Sequence, residues 1–177
     1  MTSRACLKEN ISYSLNDNSF FSSNYKQARN KFLKAVYETG SHIESFKHPN
    51  PGPDGEPMFV DLAYFGSHSN TDILVVISGT HGVEGYAGSA IQTALLQEGF
   101  TSTLPSNLNL IMIHALNPYG MAYTRRTTEN NIDLNRNFID HSQMPPGNTP
   151  YKMFANVIAT SSISFWSEIK SWLKLFW

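Results

Sequence analysis

Ile73-Leu74-Val75-Val76-Ile77 runs straight into Ser78-Gly79-Thr80-His81-Gly82-Val83-Glu84-Gly85. The first five residues are apolar and mostly β-branched, which predicts a short strand buried on both faces. The glycines behind them predict a sharp turn at the strand's carboxyl end. Residues 87–100 then read as a helix with Ile91, Ala94 and Leu95 inward, and Leu108-Asn109-Leu110-Ile111-Met112-Ile113 reads as a second buried strand. Strand, helix, strand with apolar strands is the signature of an α/β fold. The expected architecture is a central mixed, mostly parallel sheet flanked by helices.

Working upstream, residues 42–48 read as a strand and residues 49–57, with Pro49, Pro51, Gly52, Pro53, Gly55 and Pro57, as a turn. Residues 58–65 alternate, with Val60, Leu62 and Tyr64 on one face of a half-buried strand. Together these predict an antiparallel hairpin. Ser22 or Ser23 is placed to cap a helix running to about Thr39, with Tyr25, Ala28, Phe32 and Val36 inward and Gly40 past its end. Residues 1–19 show no periodicity and are expected to be loosely ordered. Downstream, Asn117-Pro118-Tyr119-Gly120 is a turn, and residues 121–140 form a polar loop rich in Arg and Asn. Residues 161–177 read as an amphipathic helix with Phe165, Trp166, Ile169, Trp172, Leu173 and Phe176 on one side. The expected division is a loose 1–19, a domain over 20–156 and a separate tail over 157–177.

Composition narrows the class. Hydrophobic residues make up 41% of the 177, enough for a packed core and an argument against a fully disordered chain. The net charge of −1 gives no attraction for nucleic acid or an anionic membrane surface. No apolar run approaches the roughly 18–20 residues of a membrane span. Cys6 is the sole cysteine, which rules out an internal disulfide and fits a reducing, cytoplasmic setting.

Three local patterns carry chemistry, and each has a bland counterpart. His81 and Glu84 are three apart, just past a predicted strand end, where ligands bind in open α/β sheets. Imidazole nitrogen and carboxylate oxygen are zinc donors, yet a His and a Glu in a glycine loop can equally be solvated. Ile132-Asp133-Leu134-Asn135-Arg136-Asn137-Phe138 offers a guanidinium and an amide for gripping a carboxylate, or a surface loop in which Asp133 pairs with Arg136. Arg125-Arg126 supplies a cation for an oxyanion, or an exposed basic pair.

In order and spacing these blocks resemble the zinc carboxypeptidases of the carboxypeptidase A superfamily, and most of all a bacterial branch described as a domain of unknown function. Carrying the resemblance are residues 78–85, His114-Ala115-Leu116-Asn117-Pro118-Tyr119-Gly120, and Arg125-Arg126 running into residues 132–138; Gly52-Pro53-Asp54-Gly55-Glu56-Pro57 is similar too. The likeness covers roughly residues 20–145. It implies a zinc-dependent hydrolase of C-terminal peptide or amide bonds, with His81 and Glu84 as two zinc ligands and Arg126 binding the oxyanion. Asn135 and Arg136 would hold the carboxylate of a peptide or acyl-amino-acid substrate. Asp133 would accept a hydrogen bond from the far nitrogen of His81. The aspartoacylase group shares the first and last blocks, so an N-acyl-amino-acid deacylase is the alternative enzyme.

The chain also departs from that pattern. The family's third ligand, a histidine, and its glutamate base lie well downstream of the Asn135-Arg136 segment. The 41 residues after Arg136 (177 − 136) contain one histidine, His141, and one glutamate, Glu168. His141 is too close to Arg136 to match, Glu168 reads as a helix-face residue, and His114 reads as a core or edge histidine. His42, His48 and His68 carry no motif. The sequence is therefore expected to hold the first half of such a domain, to be catalytically incomplete alone, and to need a complementing chain or to act as a carboxylate-binding remnant.

Overall fold

A computed structural model describes residues 20–67, 69–143 and 147–158. The chain divides into two compact units, Met1–Phe138 and Ile139–Trp177. The N-terminal segment 1–19, His68, and the tail with its aromatic stripe and Glu168 lie outside the described residues.

The first helix, α1, spans Tyr25–Glu38. Its cap is Asn24 rather than either predicted serine: the Asn24 side chain accepts from the Gln27 backbone N–H at 2.9 Å, while Ser23 bonds the Gln27 side chain instead. A cap oxygen satisfies one of the helix's orphan donors, and Asn serves as well as Ser. The inward face is Tyr25, Ala28, Phe32, Ala35 and Val36, and Gly40 closes the end at φ 73°. Strands β1 (His42–Pro51) and β2 (Pro57–Phe65) form the expected antiparallel hairpin, in register from His42 opposite Tyr64 to Lys47 opposite Phe59.

Strand β3 (Asp72–Ile77), helix α2 (Gly82–Gln97) and strand β4 (Leu108–His114) form the strand–helix–strand unit. The sheet order is β1-β2-β4-β3. β3 and β4 are parallel; the hairpin's tight turn makes β1–β2 antiparallel, and β2–β4 is antiparallel as well. The fold is thus a mixed α/β sheet with helices packed on it. Among the described residues parallel pairing is confined to β3 and β4.

Alternation places Ala63 and Phe65 of β2 beside Leu110 and Met112 of β4 on one face, where Phe32, Ala35 and Val36 of α1 and Leu96 of α2 complete a core. The core face of β2 is therefore the Asp61, Ala63, Phe65 face, opposite to the Val60, Leu62, Tyr64 face picked out by the alternation. A carboxylate sits in that core because Arg29 of α1 reaches it with two bonds, Nε to Oδ2 at 2.7 Å and Nη2 to Oδ1 at 2.9 Å. A buried charge needs such pairing. A second small core, Tyr25, Ala28, Met58, Ala115 and Met121, underlies the short helix α3 (Pro118–Ala122).

Two expectations about burial fail. β3 is not buried on both faces: it edges the sheet, and Ile73, Val75 and Ile77 are 60%, 48% and 49% exposed. Within the first unit both long helices lie on the other face, so among its described residues nothing covers these side chains. In α2, Ile91 points to solvent while Leu95 packs partly buried against the core as expected, and the fully buried side chains are Ser89, Ala90, Gln92, Thr93 and Leu96. The buried side of α2 is largely polar, which defeats a reading based on apolar spacing. The second unit contains α4, Thr149–Ile158, begun by Asn148 accepting from the Tyr151 N–H at 2.9 Å.

Candidate active site

α2 starts five residues before its predicted beginning (87 − 82), so Glu84 lies in the first helical turn rather than in a loop. The glycines there permit close approach. A Cβ on Gly82 would run into the carbonyl oxygens of Gly120 and Arg125, and the Gly82 N–H donates to the Arg125 carbonyl at 2.9 Å. Gly79, at φ 70°, lies against the backbone of Ala115, itself a non-glycine at φ 55°. Left-handed backbone at a residue with a side chain is uncommon. The tips of β3 and β4 are stitched there by Leu116 N–H to Ser78 O (3.0 Å) and Asn117 N–H to Gly79 O (2.9 Å).

His81 occupies the cap position of α2 but its side chain makes no capping bond. It turns instead toward the loop from 124 to 133. Its Nε2 lies 2.9 Å from Asp133 Oδ1, and its Nδ1 faces Glu84 Oε1 at 3.7 Å. Arg126 Nε donates to Asp133 Oδ2 at 2.9 Å, and Arg126 Nη1 lies 3.7 Å from Glu84 Oε1. His81, Glu84, Arg126 and Asp133 thus form one closed cluster at the carboxyl end of the parallel strand pair. Asp133 also accepts from the Asn135 N–H at 3.0 Å and so caps the 3-10 turn Leu134–Arg136. The bond from His81 above all, with those from Arg126 and Asn135, lowers the Asp133 carboxyl to about 2. An ionised Asp133 draws the imidazole proton onto Nε2. In the neutral ring that leaves Nδ1 as the free nitrogen on the Glu84 side.

The loop is braced from several sides. Thr128 N–H donates to Ile132 O (2.9 Å), and Arg125 N–H to Gly120 O (2.8 Å). His48 of β1, a histidine without a motif, reaches Glu129 at 3.3 Å and leans on the Tyr119 ring. No local spacing links His48 to Glu129, so only the folded chain reveals the contact. Asn135 and Arg136 are brought next to the cluster but not into it. Both are exposed, and Arg136 Nη1 donates to the Asn135 carbonyl at 3.2 Å.

His114 is a core histidine. It is fully buried, bonds Ser89 Oγ through Nε2 at 2.9 Å, and stacks on Phe32 with centroids 4.6 Å apart. Burial lowers its pKa to about 4, against the opposing pull of Asp61, which lies 3.9 Å from Nδ1, while Arg29 adds to the lowering. His42 pairs with Glu44 on the surface, and His141 falls in the second unit. Among the described residues no group of three or more His, Cys, Asp or Glu is placed to hold a metal ion. No helix among them is long and apolar enough to cross a membrane.

Fold and cluster together define an α/β protein with a His-Glu-Arg-Asp constellation where parallel strands end. The chain belongs to the family described as "Protein of unknown function (DUF2817)", which matches residues 21–170. No curated protein matches it. Among solved structures it is similar to the glutaminyl cyclase of Tannerella forsythia (10% identity, 70% of this chain and 50% of that one, TM-score 0.42). It is also similar to the glutaminyl cyclase of Fimbriiglobus ruber (13%, 50% and 36%, 0.37) and to a Zn-dependent exopeptidase from Parabacteroides distasonis (10%, 64% and 46%, 0.36). The chain spans from about a third to a half of the length of these solved proteins.

Proposed function

We propose that the chain is a zinc-dependent hydrolase of C-terminal peptide or amide bonds, of the carboxypeptidase type, with His81 and Glu84 as two of the metal's protein donors. The observation that carries this reading is the orientation of His81. Its Nε2 is committed to Asp133 at 2.9 Å, and its Nδ1 is turned toward Glu84 at 3.7 Å. Carboxylate on one imidazole nitrogen and metal on the other is the usual dress of a histidine ligand. The pair fits zinc in kind, since zinc takes imidazole nitrogen and carboxylate oxygen. Bound there, zinc would supply a Lewis acid.

The remaining roles belong to the chain's own residues. Asp133 holds the proton on Nε2. It also grips Arg126 by Nε, which leaves the terminal nitrogens on the Glu84 side to meet negative charge developing on a carbonyl oxygen. Asn135 and Arg136, exposed beside the cluster, would take the substrate's free carboxylate, for which a planar guanidinium is well shaped. The described residues offer no third donor, so the reading takes the third donor and a general base from outside them, whether from the rest of the protein or from a complementing chain. We place the protein in the cytoplasm on the strength of its single cysteine.

A non-catalytic module that grips carboxylate-terminated peptides is the second reading, favoured by Asn135 and Arg136, which stand exposed beside the cluster rather than within it. Zinc affinity at neutral pH, measured by chelator competition on wild type and His81→Ala, tests the first. Binding that depends on His81 is expected, in the micromolar range for two donors alone. Nanomolar binding would show a complete ligand set, and zinc binding indifferent to His81 would sink the proposal. Hydrolysis of peptides against N-acyl amino acids separates the carboxypeptidase from the deacylase alternative. Peptide binding that survives chelation and is lost in Arg136→Ala would establish the second reading.

A further inference from the structure

We infer that Gln92 is the positioning residue of the His81–Glu84 pair, holding both ends of the segment that carries them through a single buried carboxamide. The inference rests on the reading of His81 and Glu84 as metal donors. Gln92 is 1% exposed and lies on the inner side of α2. Its Oε1 accepts from Ser78 Oγ at 2.8 Å. Its Nε2 donates to the carbonyl of Val76 at 3.0 Å and to that of Ile113 at 3.1 Å. Both partners of Nε2 are carbonyl oxygens, which fixes the sense of the amide, and every polar atom of the side chain is engaged.

The geometry explains why an amide stands where a leucine would pack. Val76 and Ile113 sit near the carboxyl ends of the two parallel strands, and Ser78 is the residue after β3. One side chain therefore bonds the strand that enters the 78–84 segment, the neighbouring strand, and, through its own backbone, the helix that leaves it. Apolar contact alone lets a helix slide or rotate on a sheet by a fraction of a turn. Three directional bonds to one group do not, because each weakens steeply with angle. The buried side of α2 follows the same rule at Ser89, whose hydroxyl meets His114 at 2.9 Å. His81 and Glu84 hang from the end of this pinned helix, and their aim at Asp133 and Arg126 depends on its rotation.

The test compares Gln92→Met with Leu96→Ala, which loosens the same helix through apolar contact alone. Ser78→Ala removes one of the three bonds and serves as a milder variant, with the same displacement expected, should Gln92→Met fail to fold. The His81 ring-nitrogen resonances are read by NMR in the metal-free protein, and zinc affinity is read by chelator competition. Displaced His81 signals and about 10-fold weaker zinc binding or worse are expected for Gln92→Met, as for other groups that orient a ligand. Leu96→Ala should lower the thermal midpoint without moving those signals. Unmoved His81 resonances in Gln92→Met, or equal displacement in Leu96→Ala, would overturn the inference. If wild type binds no zinc while Gln92→Met still displaces the His81 signals, the metal reading falls and the positioning role stands.

Discussion

Two residues decide how the site and the core respond to change. Asp133 holds His81 through one oxygen and Arg126 through the other. Asp133→Asn keeps the shape but loses the charge that draws the proton onto Nε2. Zinc affinity is expected to fall about 10- to 100-fold, read by the same competition assay, with little change in far-UV circular dichroism. His114 governs acid response instead. Its folded-state pKa, about 4, lies below the ordinary 6.5, because burial penalises the charged ring. The unfolded chain therefore takes up the proton first as pH falls. Stability from the neutral ring is complete above 6.5 and is lost progressively down to about 4. A shift of this size corresponds to about 3 kcal/mol. Urea unfolding of wild type and His114→Gln across that interval checks it: the wild type should lose about 3 kcal/mol more than the variant between neutral pH and about 4. Parallel losses in both would assign the acid sensitivity elsewhere.

At the scale of elements, β3 is the edge strand that exposes a row of aliphatic side chains. Ile73, Val75 and Ile77 point from the uncovered face, and the strand's outer edge pairs with no strand among the described residues. Unpaired, apolar edges invite association, and a lysine is a common guard against it. Val75→Lys is expected to reduce dye binding to apolar surface and concentration-dependent light scattering. It should change stability by no more than about 0.5 kcal/mol, as for other exposed positions. A large loss of stability would mean that Val75 is covered in solution. The same strand shows what could be read in advance. Its apolar run announced a strand and its place before the His81 turn, and the Tyr25, Ala28, Phe32, Val36 spacing announced the inner face of α1. What an apolar run does not record is which neighbours cover it. Nor does apolar spacing find a helix face on which Gln92 and Ser89 are buried beside Leu96, or a strand whose core face holds Asp61. Such positions are legible only when both partners are seen, as Arg29 is for Asp61 across an interval of 32 residues.

For the whole molecule, the site gathers residues from three places in the sequence: the β3–α2 junction, the loop after α3 and the 3-10 turn behind it. Their order and spacing were readable because each block is local. Their convergence depends on the parallel pairing of β3 with β4, which brings the His81 turn beside the chain leaving His114. A metal held by His81 and Glu84 as the folded turn sets them would bind the folded chain more tightly than the unfolded one, and so would raise stability by mass action. At free zinc a hundredfold above its dissociation constant the gain is about 2.7 kcal/mol. For a chain of this size, 1 kcal/mol moves the thermal midpoint by roughly 2–4 °C. Zinc is therefore expected to raise the midpoint by about 5–10 °C relative to chelated protein. The rise should vanish in His81→Ala and in Glu84→Ala; without metal, the midpoint of Glu84→Ala should lie close to wild type because Glu84 is largely exposed. The measurement belongs in the Val75→Lys background, where association through the open face does not distort the transition. A rise that survives loss of either residue would place the metal elsewhere on the molecule. No rise in any variant at zinc concentrations well into the millimolar range would leave the carboxylate-gripping module of Asn135 and Arg136, with Asp133 serving to hold Arg126 beside it.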